Sequence, residues 1–347
     1  MKAILLLTSG GDAPGMNAEI RAIVRTAVQN GLKVYGVRRG YKGLIENDMY
    51  EMDLRSVSDI INRGGTILYS ARCKEFETEE GQRKAVESCI ARGVDGIVTI
   101  GGDGTFRGAM DLVNMAAKMD VNLACIGVPG TIDNDIACSD YTVGFDTTLN
   151  TVVDLVDRIR DTCESHDRCA VVEVMGRNAG YLALYGGIAI GATCILIPEK
   201  EFDLNRDVVD RINRFRKTGK EHFIVMVAEG CIPKLEEMGI NGVEGLARYI
   251  EHETRVIDEN GKEIKAGVES RHAVLGHCQR GGYASAKDRI VGSQMGNKAV
   301  HLLLEGATKR VVAMQHEKVV DLDMEEAVNM KKSIDLDLYD LALEISI

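Results

Sequence analysis

The chain has no tryptophan and only 4 prolines, and aromatic residues make up 5% of it. So little aromatic surface leaves no material for the stacking platforms that grip single-stranded nucleic acid. Positive charge is also short. Lys and Arg number 42 against 53 Asp and Glu, for a net charge of −11. Such a chain lacks the broad basic field of a nucleic-acid binder, although local basic clusters remain open to anionic substrates. No apolar run approaches the about 18 residues of a membrane span. The run Ala3–Leu7 is too short for a secretory signal and meets Gly and Asp at once. The nine cysteines (73, 89, 125, 138, 163, 169, 194, 231 and 278) form no CxxC pair and show no zinc-type spacing. An odd, scattered set suits a reducing compartment, so a cytoplasmic location is expected, with no nucleic-acid or membrane partner.

What is present is ordinary for a globular chain of 347 residues, 45% hydrophobic and 27% charged. At about 100–200 residues per domain, two domains are expected. Short continuous apolar runs recur at Ala3–Leu7, Val34–Val37, Ile97–Ile100, Leu123–Ile126, Ala170–Val174, Cys194–Ile197, Phe223–Val227 and Val311–Met314. Runs of this kind fit parallel strands covered on both faces. Amphipathic stretches lie between them. Leu149, Val152, Val153 and Val156, for instance, follow helical spacing. The alternation predicts an α/β fold with doubly wound sheets. No Pro- or Ser-rich linker marks a boundary, and no repeat recurs at a fixed period. Residues 228–272 are the least legible stretch, and Asp258-Glu259-Asn260-Gly261 within it reads as an exposed turn.

The 37 glycines cluster rather than repeat. The first cluster, Thr8 to Gly15, runs from a strand into a helix. Such a loop is either an anion cradle of outward N–H groups or a tight turn without a ligand. It has neither the P-loop pattern nor GxGxxG. The second, Gly101-Gly102-Asp103-Gly104-Thr105, sets a carboxylate among glycines. That suits a magnesium–nucleotide complex, or the Asp caps the helix that follows. The third, Pro129-Gly130-Thr131-Ile132-Asp133-Asn134-Asp135, offers either a base beside a second carboxylate or an Asx-rich turn. All three sit at strand ends, where open α/β sheets bind ligands.

The segments TSGGDAPGMN, INRGGT with Arg72, GGDGT, PGTIDND, VEVMGR and LGHCQRGG, in that order, resemble the ATP-dependent 6-phosphofructokinases of bacteria over nearly the whole chain. The resemblance implies two similar doubly wound domains. One comprises 1–143 and about 278–328 and binds ATP and Mg²⁺. The other comprises about 144–277 and 329–347 and binds fructose 6-phosphate. It implies transfer of the γ-phosphoryl of ATP to the sugar's 1-hydroxyl. Asp133 would be the base, Asp103 the Mg²⁺ ligand, and Arg72 the cation that steadies the transferring group. Gly11 would present its N–H, and Thr131 would touch the reacting groups. Cys73, Gly102, Gly104 and Thr105 would complete the nucleotide site. Ile132, Met175, Gly176, Arg177, Glu229, His277, Cys278, Gln279 and Arg280 would hold the sugar phosphate, and Arg168 and Arg271 would enter the site of a neighbour in a homotetramer.

Two positions bear on the donor. Pyrophosphate-using relatives carry Asp where this chain has Gly104 and Lys where it has Gly130, so the resemblance implies ATP. Arg21, Arg25, Arg160 and Lys220 match basic residues of the family's effector site. Leu54 replaces an Arg of that site, Thr193 a Glu and Thr218 a Lys, so a weakened effector response is expected. Other readings are a pyrophosphate-dependent enzyme, a silent regulatory subunit, and an NAD or lipid kinase. The glycines at 104 and 130 oppose the first, and the intact set Arg72, Asp103, Asp133 and Arg177 opposes the second. The third rests on GGDGT alone.

Overall fold

A computed structural model describes residues 1–346. Its strands in chain order are β1 (Ala3–Thr8), β2 (Lys33–Val37), β3 (Met49–Met52), β4 (Gly96–Gly101), β5 (Ala124–Pro129), β6 (Cys169–Val174), β7 (Cys194–Leu196), β8 (Phe223–Ala228), β9 (Val256–Ile257), β10 (Glu263–Lys265), β11 (Ser270–Val274), β12 (Arg310–Gln315) and β13 (Lys318–Asp323). All eight apolar runs of the sequence fall on strands, with only Leu123 and Ile197 just outside them. The chain divides into two compact units: Met1–Thr147 with Arg280–Lys332, and Thr148–Gln279 with Ser333–Ile347. These bounds lie up to four residues from those drawn at 143, 278 and 328.

The first unit holds a seven-stranded sheet in the order β13-β12-β5-β4-β1-β2-β3. Its five central strands are parallel, and the edge strands β3 and β13 run antiparallel to their neighbours. β1 and β4 are buried at every residue, which explains their unbroken apolar runs. On one face Leu5, Leu7, Ile97 and Cys125 pack with Phe106, Ala109 and Leu112 of the helix Asp103–Lys118. Elsewhere the helices Met16–Gln29 and Ala286–Leu304 lie against one another. Glycine makes that close approach possible: a Cβ at Gly296 would stand 2.8 Å from the carbonyl oxygen of Glu19. The β12–β13 hairpin turns through His316 and Glu317, both at positive φ, as a two-residue hairpin turn requires.

The second unit carries a smaller, wholly parallel sheet, β11-β6-β8-β7. The two α/β domains are therefore unequal, with seven strands against four. Residues 228–272 resolve into the helices Ile232–Glu237 and Gly242–Glu253 and a β9–β10 hairpin. The turn expected at Asp258–Gly261 closes that hairpin, with Asp258 O accepting from Gly261 N at 3.0 Å.

Candidate active site

In the first unit the sheet order places the C-terminal ends of β1, β4 and β5 side by side. Backbone bonds stitch their loops together. Ser9 N donates to Ile100 O at 3.0 Å, and Gly130 N donates to Gly101 O at 3.1 Å. Thr105 is buried, and its hydroxyl donates to Ser9 O at 3.1 Å, so it braces two loops. Asn17 joins a fourth segment: its amide nitrogen donates to Arg63 O at 3.0 Å, and its oxygen accepts from Ile67 N at 2.8 Å. That ties the INRGGT segment to the first glycine loop. Arg72 follows in an irregular stretch and is exposed.

Asp103 is not a helix cap. The cap position belongs to Gly102, and Asp103 is the first helical residue. Its Oδ1 is buried without a hydrogen-bond partner among the described residues. Burial, then the nearby Asp135 carboxylate, push its pKa up to about 6, against the opposing pull of Arg107. An orphaned carboxylate oxygen at a helix start fits a cation held with a nucleotide. Among the described residues no cluster of three or more His, Cys, Asp or Glu could cage a metal. That donor set suits Mg²⁺, which takes one or two carboxylates and fills its remaining positions with phosphate oxygens and water. Gly104 is exposed, with no atom of the described residues within 4 Å of where a Cβ would stand, its chain neighbours and own helix turn apart.

The third loop is braced from several sides. Asp133 is buried, and its N–H donates to the Thr131 hydroxyl at 3.2 Å. The Thr142 hydroxyl donates to Thr131 O at 2.7 Å. Asn134 adopts φ 52°, and its side-chain oxygen accepts from Thr142 N at 3.1 Å. The Lys332 ammonium donates to Asn134 O at 2.7 Å and to Ser139 O at 2.8 Å. Burial pushes that lysine down to about 8, against the opposing pull of Asp135 and Asp140. Ile132 is fully buried.

Arg280, expected among the sugar-phosphate residues, belongs to the first unit. It lies against Gly11 and donates to Asp12 O at 3.0 Å. Ser285 in the altered segment after QRGG caps the helix Ala286–Leu304, accepting from Asp288 N at 3.2 Å.

In the second unit Met175, Gly176 and Arg177 follow β6. Arg177 has φ 57°, and its backbone N–H donates to the Glu229 carboxylate. Glu173, which sequence reasoning passed over, has its pKa raised by burial and then by Glu229. His277 and Cys278 are exposed. Gln279, expected at the sugar phosphate, is 0% exposed. Its amide oxygen accepts from Met175 N at 3.1 Å and its amide nitrogen donates to Gly276 O at 3.0 Å, which makes it a brace for the Met175 turn. Arg168 and Arg271 share one carboxylate, Glu269, with the Arg168 contact at 3.0 Å. The Arg168 hydrogen bond holds that carboxyl below its usual range. A cavity of about 330 Å³, lined in part by Lys200, Arg206, Arg211 and Tyr339, holds none of the expected residues.

Of the effector set, Arg21 and Arg25 lie one turn apart on the helix Met16–Gln29 in the first unit. In the second, Lys220 has its pKa lowered by burial and then by Arg160. Thr193 is buried, and its hydroxyl accepts from Ile224 N at 3.3 Å, so it is spent on the sheet. All nine cysteines are free thiols. Seven are buried, Cys73 is half-buried against the core of the first unit, and Cys278 is exposed.

The phosphofructokinase family model matches residues 3–303. An ATP-dependent 6-phosphofructokinase of Clostridium botulinum is 49% identical over 346 residues, covering 100% of both chains. One from Halothermothrix orenii is 50% identical, covering 99% of this chain and 98% of its own. Among solved structures, the phosphofructokinase of Saccharomyces cerevisiae superposes with a TM-score of 0.84 at 32% identity, over 100% of this chain and 48% of that one. A pyrophosphate-dependent phosphofructokinase of Marinobacter aquaeolei shares the fold, with a TM-score of 0.78 at 22% identity. The full-length matches go with the ATP-dependent enzymes, and the NAD and lipid kinase reading falls away. This chain belongs to the phosphofructokinase family and is an ATP-dependent 6-phosphofructokinase.

Proposed function

We propose that Asp133 is the general base of this reaction and that the three loops after β1, β4 and β5 hold the nucleotide. The observation that carries the reading is the bracing of a buried carboxylate, Asp133, on a loop joined by backbone bonds to the two glycine loops. Phosphoryl transfer needs positioning and charge neutralisation more than covalent chemistry. Asp133 takes the proton of the sugar's 1-hydroxyl as that oxygen attacks. The Gly11 N–H and the exposed Arg72 guanidinium face the charge that develops on the transferred group. Asp103 would hold Mg²⁺, which when bound neutralises phosphate charge. Gly102, Gly104, Thr105 and Cys73 line or support the nucleotide site, and the open space beside Gly104 supports ATP rather than pyrophosphate as its occupant.

In the second unit Met175, Gly176, Arg177, Glu229, His277 and Cys278 would grip fructose 6-phosphate. Arg168 and Arg271, preset by Glu269, would complete a neighbour's site in a homotetramer. Arginine forks suit this because they bind phosphate oxygens in pairs. The enzyme would work in the cytoplasm. Its response to ADP or phosphoenolpyruvate would be weak, since Thr193 puts no carboxylate at the effector site and uses its hydroxyl on the sheet.

A coupled assay for fructose 1,6-bisphosphate tests this on the wild type and Asp133→Asn, with ATP or pyrophosphate as donor. The variant keeps the shape and removes the base. Its kcat with ATP should fall by about 10²–10⁴-fold. A variant as active as the wild type would remove Asp133 from the role, and turnover with pyrophosphate would overturn the donor reading.

A further inference from the structure

We propose that Lys332 is a positioning residue for the catalytic loop, its ammonium clamping the backbone directly behind Asp133. The inference rests on the reading of Asp133 as the base. Lys332 Nζ donates at once to Asn134 O and Ser139 O, at 2.7 and 2.8 Å. Those carbonyls bracket residues 135–138, so one ammonium closes this segment into a ring. Asn134 is the residue after the base, and it stands at φ 52°, a conformation that needs outside support. It has support on two sides. Thr142 N donates to its side-chain oxygen, and Lys332 holds its main-chain oxygen.

The charge fits as well as the geometry. Lys332 faces the Asp135 and Asp140 carboxylates and the Cys138 thiol, and Asp135 in turn raises Asp103. A cation here offsets the acidic groups gathered around the loop. An uncharged side chain would leave two inward-facing carbonyls short of a donor, and the loop would relax toward other partners. A displacement of about 1 Å at a reacting group is enough to cost about 100-fold in rate. Lys332 is also the last residue of the first unit, so the chain leaves that unit from the clamp itself.

The test is steady-state kinetics on wild type, Lys332→Met, Asp133→Asn and the double variant. The proposal expects K332M to lose about 10- to 100-fold in kcat, with KM for ATP and fructose 6-phosphate within about twofold. Because Lys332 acts through Asp133, adding K332M to D133N should cost little further. A K332M kcat within about twofold of wild type would overturn the clamp, as would a rise in both KM values and a drop in melting temperature that accompany the loss of kcat. Should K332M fail to fold, Lys332→Gln keeps one donor group and decides the matter: an intermediate kcat loss supports the clamp, and a wild-type kcat overturns it. Full activity in D133N would remove the base reading, and the proposal with it, whereas an inactive D133N beside a normal K332M removes the proposal alone.

Discussion

Arg280 lies across Gly11: a Cβ at position 11 would stand 2.7 Å from its Nη1 and 3.1 Å from its Cζ. The guanidinium is anchored there by Asp12 O at 3.0 Å. An alanine at 11 meets no backbone obstacle among its nearest neighbours, only the far end of a flexible side chain. Gly11→Ala should therefore leave stability within about 0.5 kcal/mol of wild type, as for changes that create no cavity or buried orphan. It should displace Arg280 and crowd the Gly11 N–H, lowering kcat/KM by about 10²-fold, the scale for losing one aimed donor. Thermal unfolding and steady-state kinetics on the same preparation check this. A stable variant with wild-type kcat/KM would show that the Gly11–Arg280 contact is irrelevant to turnover.

The two glycines proposed to discriminate the phosphoryl donor are built differently. At Gly104 a side chain enters open space, whereas at Gly130 a Cβ would stand 2.8 Å from Ile100 Cγ2 and 3.1 Å from Glu19 Oε2. Gly104→Asp should fold normally and raise KM for ATP by tenfold or more (~1.4 kcal/mol of lost binding), because the carboxylate projects where the nucleotide is proposed to lie. Gly130→Ala should instead cost about 1–3 kcal/mol of stability through overpacking. Denaturant titrations of the two variants separate the effects. A destabilised G104D with unchanged ATP affinity would reverse the assignment.

The central strands were legible because burial on both faces leaves an unbroken apolar run, as in β1 and β4. The missed strands are edges or short pieces. β11 carries Arg271, His272 and Val274 exposed, and β13 is only half-buried, so neither has a run to detect. The glycine loops could be read because their chemistry is local. The braces could not. Lys332 meets Asn134 from 198 positions away and Arg280 meets Asp12 from 268. No periodicity links such pairs, and an isolated Lys or Arg in a sequence looks like a surface charge. The bracing by Gln279 was hidden for another reason: it sits in LGHCQRGG beside exposed neighbours, yet the fold turns it inward to hold Met175 N.

Glu19 is a buried carboxyl whose two oxygens find no hydrogen-bond partner among the described residues. Burial, then the neighbouring Asp288 carboxylate, hold its pKa well above the usual range. Asp288 itself is amply bonded, accepting from Gly144 N at 2.7 Å and from Thr147 N at 2.9 Å. For an acid whose folded pKa is raised, stability is fully present below the unfolded value. It is lost as pH rises through the folded one. Within that window each pH unit removes up to about 1.4 kcal/mol. Glu19→Gln cannot ionise, so its stability should fall less steeply with pH, and its advantage over wild type should grow from pH 5 to pH 8. Guanidinium unfolding at pH 5, 6.5 and 8, at one protein concentration, measures the difference. Parallel curves for the two proteins would mean that the Glu19 carboxyl takes up no extra proton on folding.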